Sequence, residues 1–224
     1  MKSIALAAHN NAAWCDAVTR CWGGRGRFEA DLWINPGEAP PFYPNAVTFT
    51  RAETVPEAIA TQRGAFAVKD SFRALDLAPL GFAPLFDATW IWRDPDPVPR
   101  ADDRITWRII RDADSLADWE AAWRGDAPAL DLFRPALLGE SDHAFIAGSV
   151  AERIVAGCVA SHAAGVVGIS NLFGDANSAC LAAAMAFAPG LPVVGYESGP
   201  ELQAMKNLGF QALGPLRVWL RDTA

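Results

Sequence analysis

Tyr196-Glu197-Ser198 follows the apolar run from Leu191 to Gly195, so a hydroxyl and a carboxylate stand where a buried strand should end. That is the usual place for site residues in an open sheet. There Glu197 can take a proton from an amine and Tyr196 can donate its hydroxyl. The same residues also fit a structural role, with Glu197 and Ser198 capping a helix that carries Pro200 in its first turn while Tyr196 packs. The chain's other tyrosine, Tyr43, sits with Asn45 in Pro40-Pro41-Phe42-Tyr43-Pro44-Asn45. A loop that stiff can anchor a substrate, or it can be pinned by aromatic packing alone. Lys69-Asp70-Ser71 follows another short apolar run. As a charged pair, Lys69 and Asp70 can hold a carboxylate or orient a substrate, and the alternative is a cap at Asp70 or Ser71. Ser170-Asn171 interrupts the apolar segment Val166 to Phe173, and polar groups buried there need a ligand or a bulge to satisfy them.

Two further groupings point to chemistry less firmly. His9-Asn10-Asn11 precedes a predicted helix carrying Trp14 and Cys15, but a Cys-His nucleophile lacks any elbow motif here. Arg20-Cys21-Trp22-Gly23-Gly24-Arg25-Gly26-Arg27 is glycine-rich like a phosphate loop, yet it follows a helix where such a loop would open one.

The elements that must position these residues fall on either side of Asp94-Pro95-Asp96-Pro97-Val98-Pro99-Arg100, whose prolines forbid a regular helix or an interior strand. Three segments result: residues 1–93, a linker at 94–103, and residues 104–224. In the first, a helix from Asn11 to Trp22 precedes strands at 31–34 and 46–50, a helix at 55–63, a strand at 65–68, a short helix at 71–77 and a strand at 88–93. In the last, a strand at 105–110 precedes a helix opened by Asp114 or Ser115. A three-strand meander follows at 144–149, 153–162 and 166–173. A helix at 177–188, a strand at 191–196, a helix capped by Ser198 and a final strand at 211–221 complete it. Leu80-Gly81-Phe82 running into Thr89 to Arg93 parallels Leu208-Gly209-Phe210 running into Arg217 to Arg221.

Composition sets the outer limits. A chain of 224 residues with 51% apolar content can bury a large core. A net charge of −7 provides no footprint for a phosphate backbone, so nucleic acid is not an expected partner and a basic substrate is modestly favoured. The start has no secretory pattern and no run has the length of a membrane span, so the expectation is a cytoplasmic protein without membrane contact. Cys15, Cys21, Cys158 and Cys180 form no C-x-x-C pair, which points away from zinc and from a disulfide framework.

The order strand, helix, meander, helix, strand, helix, Gly-Phe corner and strand over residues 105–221 resembles a GNAT-type N-acyltransferase. The Gly81-Phe82 echo makes residues 1–93 resemble a trimmed second copy. The fold this implies is α/β, with a mixed, mostly antiparallel sheet flanked by helices. The implied function is acyl transfer from acetyl-CoA or another acyl-CoA to a small amine, without a metal. The alternative is a GNAT-like protein that has lost catalysis and binds a small ligand or partner. Oligomerisation is left open.

By that resemblance Glu197 and Tyr196 are the catalytic candidates. Ser170, Asn171, Leu172, Phe173, Gly174, Asn177 and Ser178 are the cofactor-binding ones, and Tyr43, Asn45, Lys69 and Asp70 the substrate-binding ones. The sequence departs from the family pattern in three places. No lysine or arginine lies between Arg153 and Lys206, so the loop carrying Asp175 has no cation of its own. Met205 stands where the family's proton-donating tyrosine often stands, and a thioether donates no proton. Gly199 occupies the position of a common asparagine.

Overall fold

The computed structural model describes residues 2–51, 54–97, 104–174 and 177–222, without the side chain of Asn177. The chain divides into two compact units, Met1–Trp92 with Tyr196–Ala224, and Arg93–Gly195. The sequence reading keeps residues 104–224 together, whereas the last stretch of chain, Tyr196–Ala224, packs with the first 92 residues.

The first unit opens with α1 (Ile4–Cys21), capped by the Ser3 hydroxyl accepting from the Ala5 amide. The helix starts seven residues earlier than its periodicity predicts, so His9, Asn10 and Asn11 lie inside it. Its first turns bury Ala7, Ala8 and Ala12, small side chains that mark an apolar face only weakly. Then come β1 (Arg27–Phe28), β2 (Leu32–Ile34), β3 (Ala46–Thr48), α2 (Thr54–Ala60) and β4 (Phe66–Asp70). The helix predicted at 71–77 is a turn and a 3₁₀ segment at Ala78–Leu80, which leads into β5 (Ala83–Arg93). The turn is fixed by Asp70, whose carboxylate accepts from the Phe72 and Leu75 amides at 3.1 and 2.8 Å and removes the need for a helix.

The second unit runs β6 (Thr106–Ile109), α3 (Ala113–Arg124), β7 (His143–Val150), β8 (Arg153–Ala163), β9 (Val166–Phe173), α4 (Asn177–Phe187) and β10 (Val193–Glu197). Asp112, two residues before the predicted opener, caps α3 by accepting from the Ser115 amide at 2.8 Å. The expected meander is present, with β6, β7, β8 and β9 antiparallel in sequence order and β10 parallel to β9. Its core is built round Trp119, fully buried, whose ring meets Phe133, Phe145 and Phe173 edge-on at 5.1 to 5.6 Å. The indole N–H donates to the Ile146 carbonyl at 2.9 Å. Gly157 makes this approach possible, since a Cβ there would lie 2.8 Å from Trp119 Nε1 and 2.5 Å from the Ile146 oxygen. In the proline-rich segment, the Arg93 guanidinium donates to the carbonyls of Asp94, Asp96 and Pro97, while residues 98–103 of the predicted linker lie outside the described residues.

After β10 the chain forms α5 (Gly199–Asn207) and β11 (Gln211–Arg221). β11 lies antiparallel between β4 and β5, so the first unit's sheet reads β1-β2-β3-β4-β11-β5. Its Trp219 belongs to the core with Leu32, Ile34, Val55, Ile59, Phe66 and Phe82. The two Gly-Phe corners are built alike. Phe82 N donates to Leu77 O at 3.3 Å and Gly81 N to Ala78 O at 3.0 Å, while Phe210 N donates to Met205 O at 3.1 Å and Gly209 N to Lys206 O at 3.0 Å. Both glycines are left-handed, at φ 82° and 88°, as this kind of helix end requires. The sequence echo is thus a local structural repeat.

Candidate functional site

β10 pairs with β9 at Val193–Val167 and Val194–Gly168, and both strands continue past that register to Glu197 and Phe173. Glu197 is half-buried at the strand's carboxyl end. Burial first, and then the neighbouring charge of Glu201, push its carboxyl up to about 7. No backbone hydrogen bond contributes to this shift, which argues against the capping alternative for Glu197. Ser198, at the N-cap of α5, likewise makes no side-chain cap bond. Tyr196, one residue earlier, leaves the strand from the opposite face. Its ring sits edge-on to Trp90 at 5.4 Å, and its hydroxyl accepts from Lys69 Nζ at 3.2 Å.

The end of β9 is irregular. Gly157 pairs with Phe173 and Val159 with Ser170, so β9 carries one residue more than β8 across this stretch. Asn171, in the extra segment, has φ 52°. The Ser170 hydroxyl is buried and has no hydrogen-bond partner among the described residues. Both sequence alternatives for Ser170-Asn171 therefore meet here, since a bulge forms and one polar group is still unsatisfied. Leu172 and Phe173 are half-buried, and Phe173 faces Trp119. Gly174, at φ 80°, comes so close to β8 that a Cβ would lie 2.4 Å from the Val155 oxygen. Ser178 is half-buried in the first turn of α4. Asp175 and the side chain of Asn177 lie outside the described residues. Sequence reasoning missed a cavity of about 730 Å³ in this unit, lined by Phe173, Arg108, Arg153, Asp118, Glu152 and neighbouring residues. It brings two guanidinium groups from β6 and β8 to the same space as the end of β9. No local sequence motif could have shown this.

In the first unit the predicted substrate residues separate by role. Asn45 is 3% exposed; its carbonyl oxygen accepts from the Ala67 amide at 2.9 Å and its amide donates to Gly37 O at 2.8 Å. Those bonds hold the proline loop against β4, and Asn45→Ala should cost roughly 1–3 kcal/mol in denaturant unfolding without a specific effect on ligand binding. Asp70 is 1% exposed and committed to its turn, with burial raising its pKa against those backbone bonds. Tyr43 is buried against Trp14, ring centroids 6.3 Å apart. Lys69 makes no ion pair with Asp70 among the described residues, and donates to Asn11 Oδ1 at 2.6 Å as well as to Tyr196 at 3.2 Å. Cys15 is 2% exposed, and burial, only partly offset by the charge of Lys69, raises its thiol to about 11. A thiol held protonated in this way is a poor nucleophile. Among the described residues no cluster of three His, Cys, Asp or Glu side chains could hold a metal, and no helix is long and apolar enough to cross a membrane.

No protein-family model matches the chain, and no curated protein matches it. Solved structures do. A GCN5-related N-acetyltransferase from Kribbella flavida superposes with a TM-score of 0.64 at 16% identity, covering 97% of this chain and 96% of the other. A GNAT-family protein from Novosphingobium aromaticivorans gives 0.59 at 16% identity, covering 94% and 98%. A tandem GNAT protein from the clavulanic acid biosynthesis pathway gives 0.52 at 13% identity, covering 97% of both chains. At these identities the likeness is one of fold, and it agrees with the element order and the paired Gly-Phe corners: the chain has a GNAT-type fold.

Proposed function

We propose that the protein is an acyl-CoA-dependent N-acyltransferase acting on a small amine, with Glu197 as the general base, in a chain organised as two GNAT-like halves. The observation that carries this reading is a carboxyl poised at about 7 at the carboxyl end of β10. A base with that pKa can deprotonate an ammonium or a tetrahedral adduct near neutrality. The amine nitrogen attacks the thioester carbonyl, Glu197 takes the nitrogen's proton, and the C–S bond breaks to release the thiolate. Backbone N–H groups are the donors to the developing oxyanion. Since Met205 is 3% exposed and cannot donate, solvent protonates the leaving thiolate.

The residues present fit an acyl-CoA unevenly. The unsatisfied Ser170 hydroxyl and the open end of β9 suit a pantetheine amide, whereas the loop after Gly174 supplies no cation for the pyrophosphate. Arg108 and Arg153 are the basic groups nearest in kind, through the cavity that Phe173 also lines. That deficit favours the second reading, a GNAT-like protein that binds a ligand without turning it over. Calorimetric titration with acetyl-CoA and with free coenzyme A separates the two. Saturable acetyl-CoA binding with coenzyme A release across an amine panel is the expected outcome. No heat at millimolar concentration would remove the acyl-CoA reading, and binding without release would favour the second.

A further inference from the structure

Lys69 is one of only three lysines and is 4% exposed. Buried ammonium groups are ordinarily paired with carboxylates, because an uncompensated charge away from water costs several kcal/mol. Lys69 has no such pair among the described residues. Its Nζ donates to the neutral amide oxygen of Asn11 at 2.6 Å and to the neutral hydroxyl of Tyr196 at 3.2 Å, and it lies 4.3 Å from the centre of the Tyr196 ring. The nearby acids are engaged elsewhere. Asp70 leaves β4 from the other face and caps its turn, and Asp16 accepts from Trp33 Nε1 at 2.8 Å and Arg20 Nε at 3.0 Å. The thiol of Cys15 is held protonated. Asn11 and Tyr196 are each only half-buried.

We infer that Lys69, Asn11 and Tyr196 form a binding site for the carboxylate of a small acid, lying on the face of β10 opposite to the Glu197 side chain. The carboxylate supplies the charge that the fold leaves out. It accepts from Lys69 Nζ, with the Asn11 amide N–H₂ and the Tyr196 hydroxyl proton as further donors. This inference goes beyond the acyl-transfer reading and does not depend on it.

The scarcity of lysines makes the test direct. Protein labelled with ¹³Cε-lysine has only Lys2, Lys69 and Lys206 to assign. Titration with acetate and succinate at constant ionic strength, against chloride, should move the Lys69 signal saturably and leave the other two in place. Asn11→Asp places a carboxylate of the same size beside Lys69, so this variant should melt at a higher temperature than the parent and lose the acetate response. A Lys69 signal that follows chloride as it follows acetate would overturn the inference. So would an Asn11→Asp protein that is less stable than the parent or still responds to acetate.

Discussion

Glu197→Gln should lower turnover by roughly 10²- to 10⁴-fold at pH 8 while leaving the melting temperature unchanged or higher. Gln keeps the size and the polar contacts of the side chain and removes only its ability to take a proton. The sign on stability follows from linkage. In the fold the Glu197 carboxyl is raised from 4.5 to about 7, so its ionised form is disfavoured relative to the unfolded chain. Below pH 4.5 the group is neutral in both states and costs nothing. Between 4.5 and 7 the unfolded state ionises first and stability falls, and above 7 that loss is complete. The Gln variant has no such titration, so its advantage over the parent grows across that window. Activity has the opposite slope: the parent's rate rises as Glu197 ionises and levels off above about 7. Equal losses of rate and stability would instead make Glu197 a structural residue.

Residues 1–93 expressed alone should show no cooperative unfolding, although the sequence reads as two separable halves. The first unit's sheet has β11 at its interior, paired with β4 from Arg217 to Arg221 and with β5 from Gln211 to Leu220. Without β11 both strands lose a partner along an interior edge, and the core loses Trp219, which is 4% exposed. In the full chain the corresponding point change is Val218→Pro. It removes a ladder donor from a strand bonded on both sides and should cost about 3 kcal/mol or more, read as a lower denaturant midpoint. A cooperative melt for residues 1–93, or a Val218→Pro protein as stable as the parent, would show that the first half closes its sheet without β11.

The physical character of each signal explains how much of this was legible. The meander at 143–173 and the alanine-rich helix after it were readable because strand alternation, tight turns and helix-terminating Pro-Gly are local. The Gly-Phe corners were readable because a left-handed glycine is a local requirement. The early start of α1 was hidden by alanines, and the Asp70 turn by a carboxylate whose partners lie two and five residues ahead. What no local pattern could show is which sheet β11 enters, since its apolar run suits a strand in either unit. For the site, the position of Glu197 was legible from the strand end, but its elevated pKa needed the burial and the proximity of Glu201 that only the fold provides. The meeting of Lys69 with Asn11 and Tyr196 joins residues 58 and 127 positions apart in the chain.

The most direct test of the central claim is the pH dependence of coenzyme A release from acetyl-CoA across a panel of small amines, run on the parent and on Glu197→Gln. Glu197 as the base predicts amine-dependent release that rises through an apparent pKa of about 7 in the parent and is flat and at least a hundredfold slower in the variant. Release no faster than acetyl-CoA hydrolysis with every amine, or an identical profile in the two proteins, would contradict it.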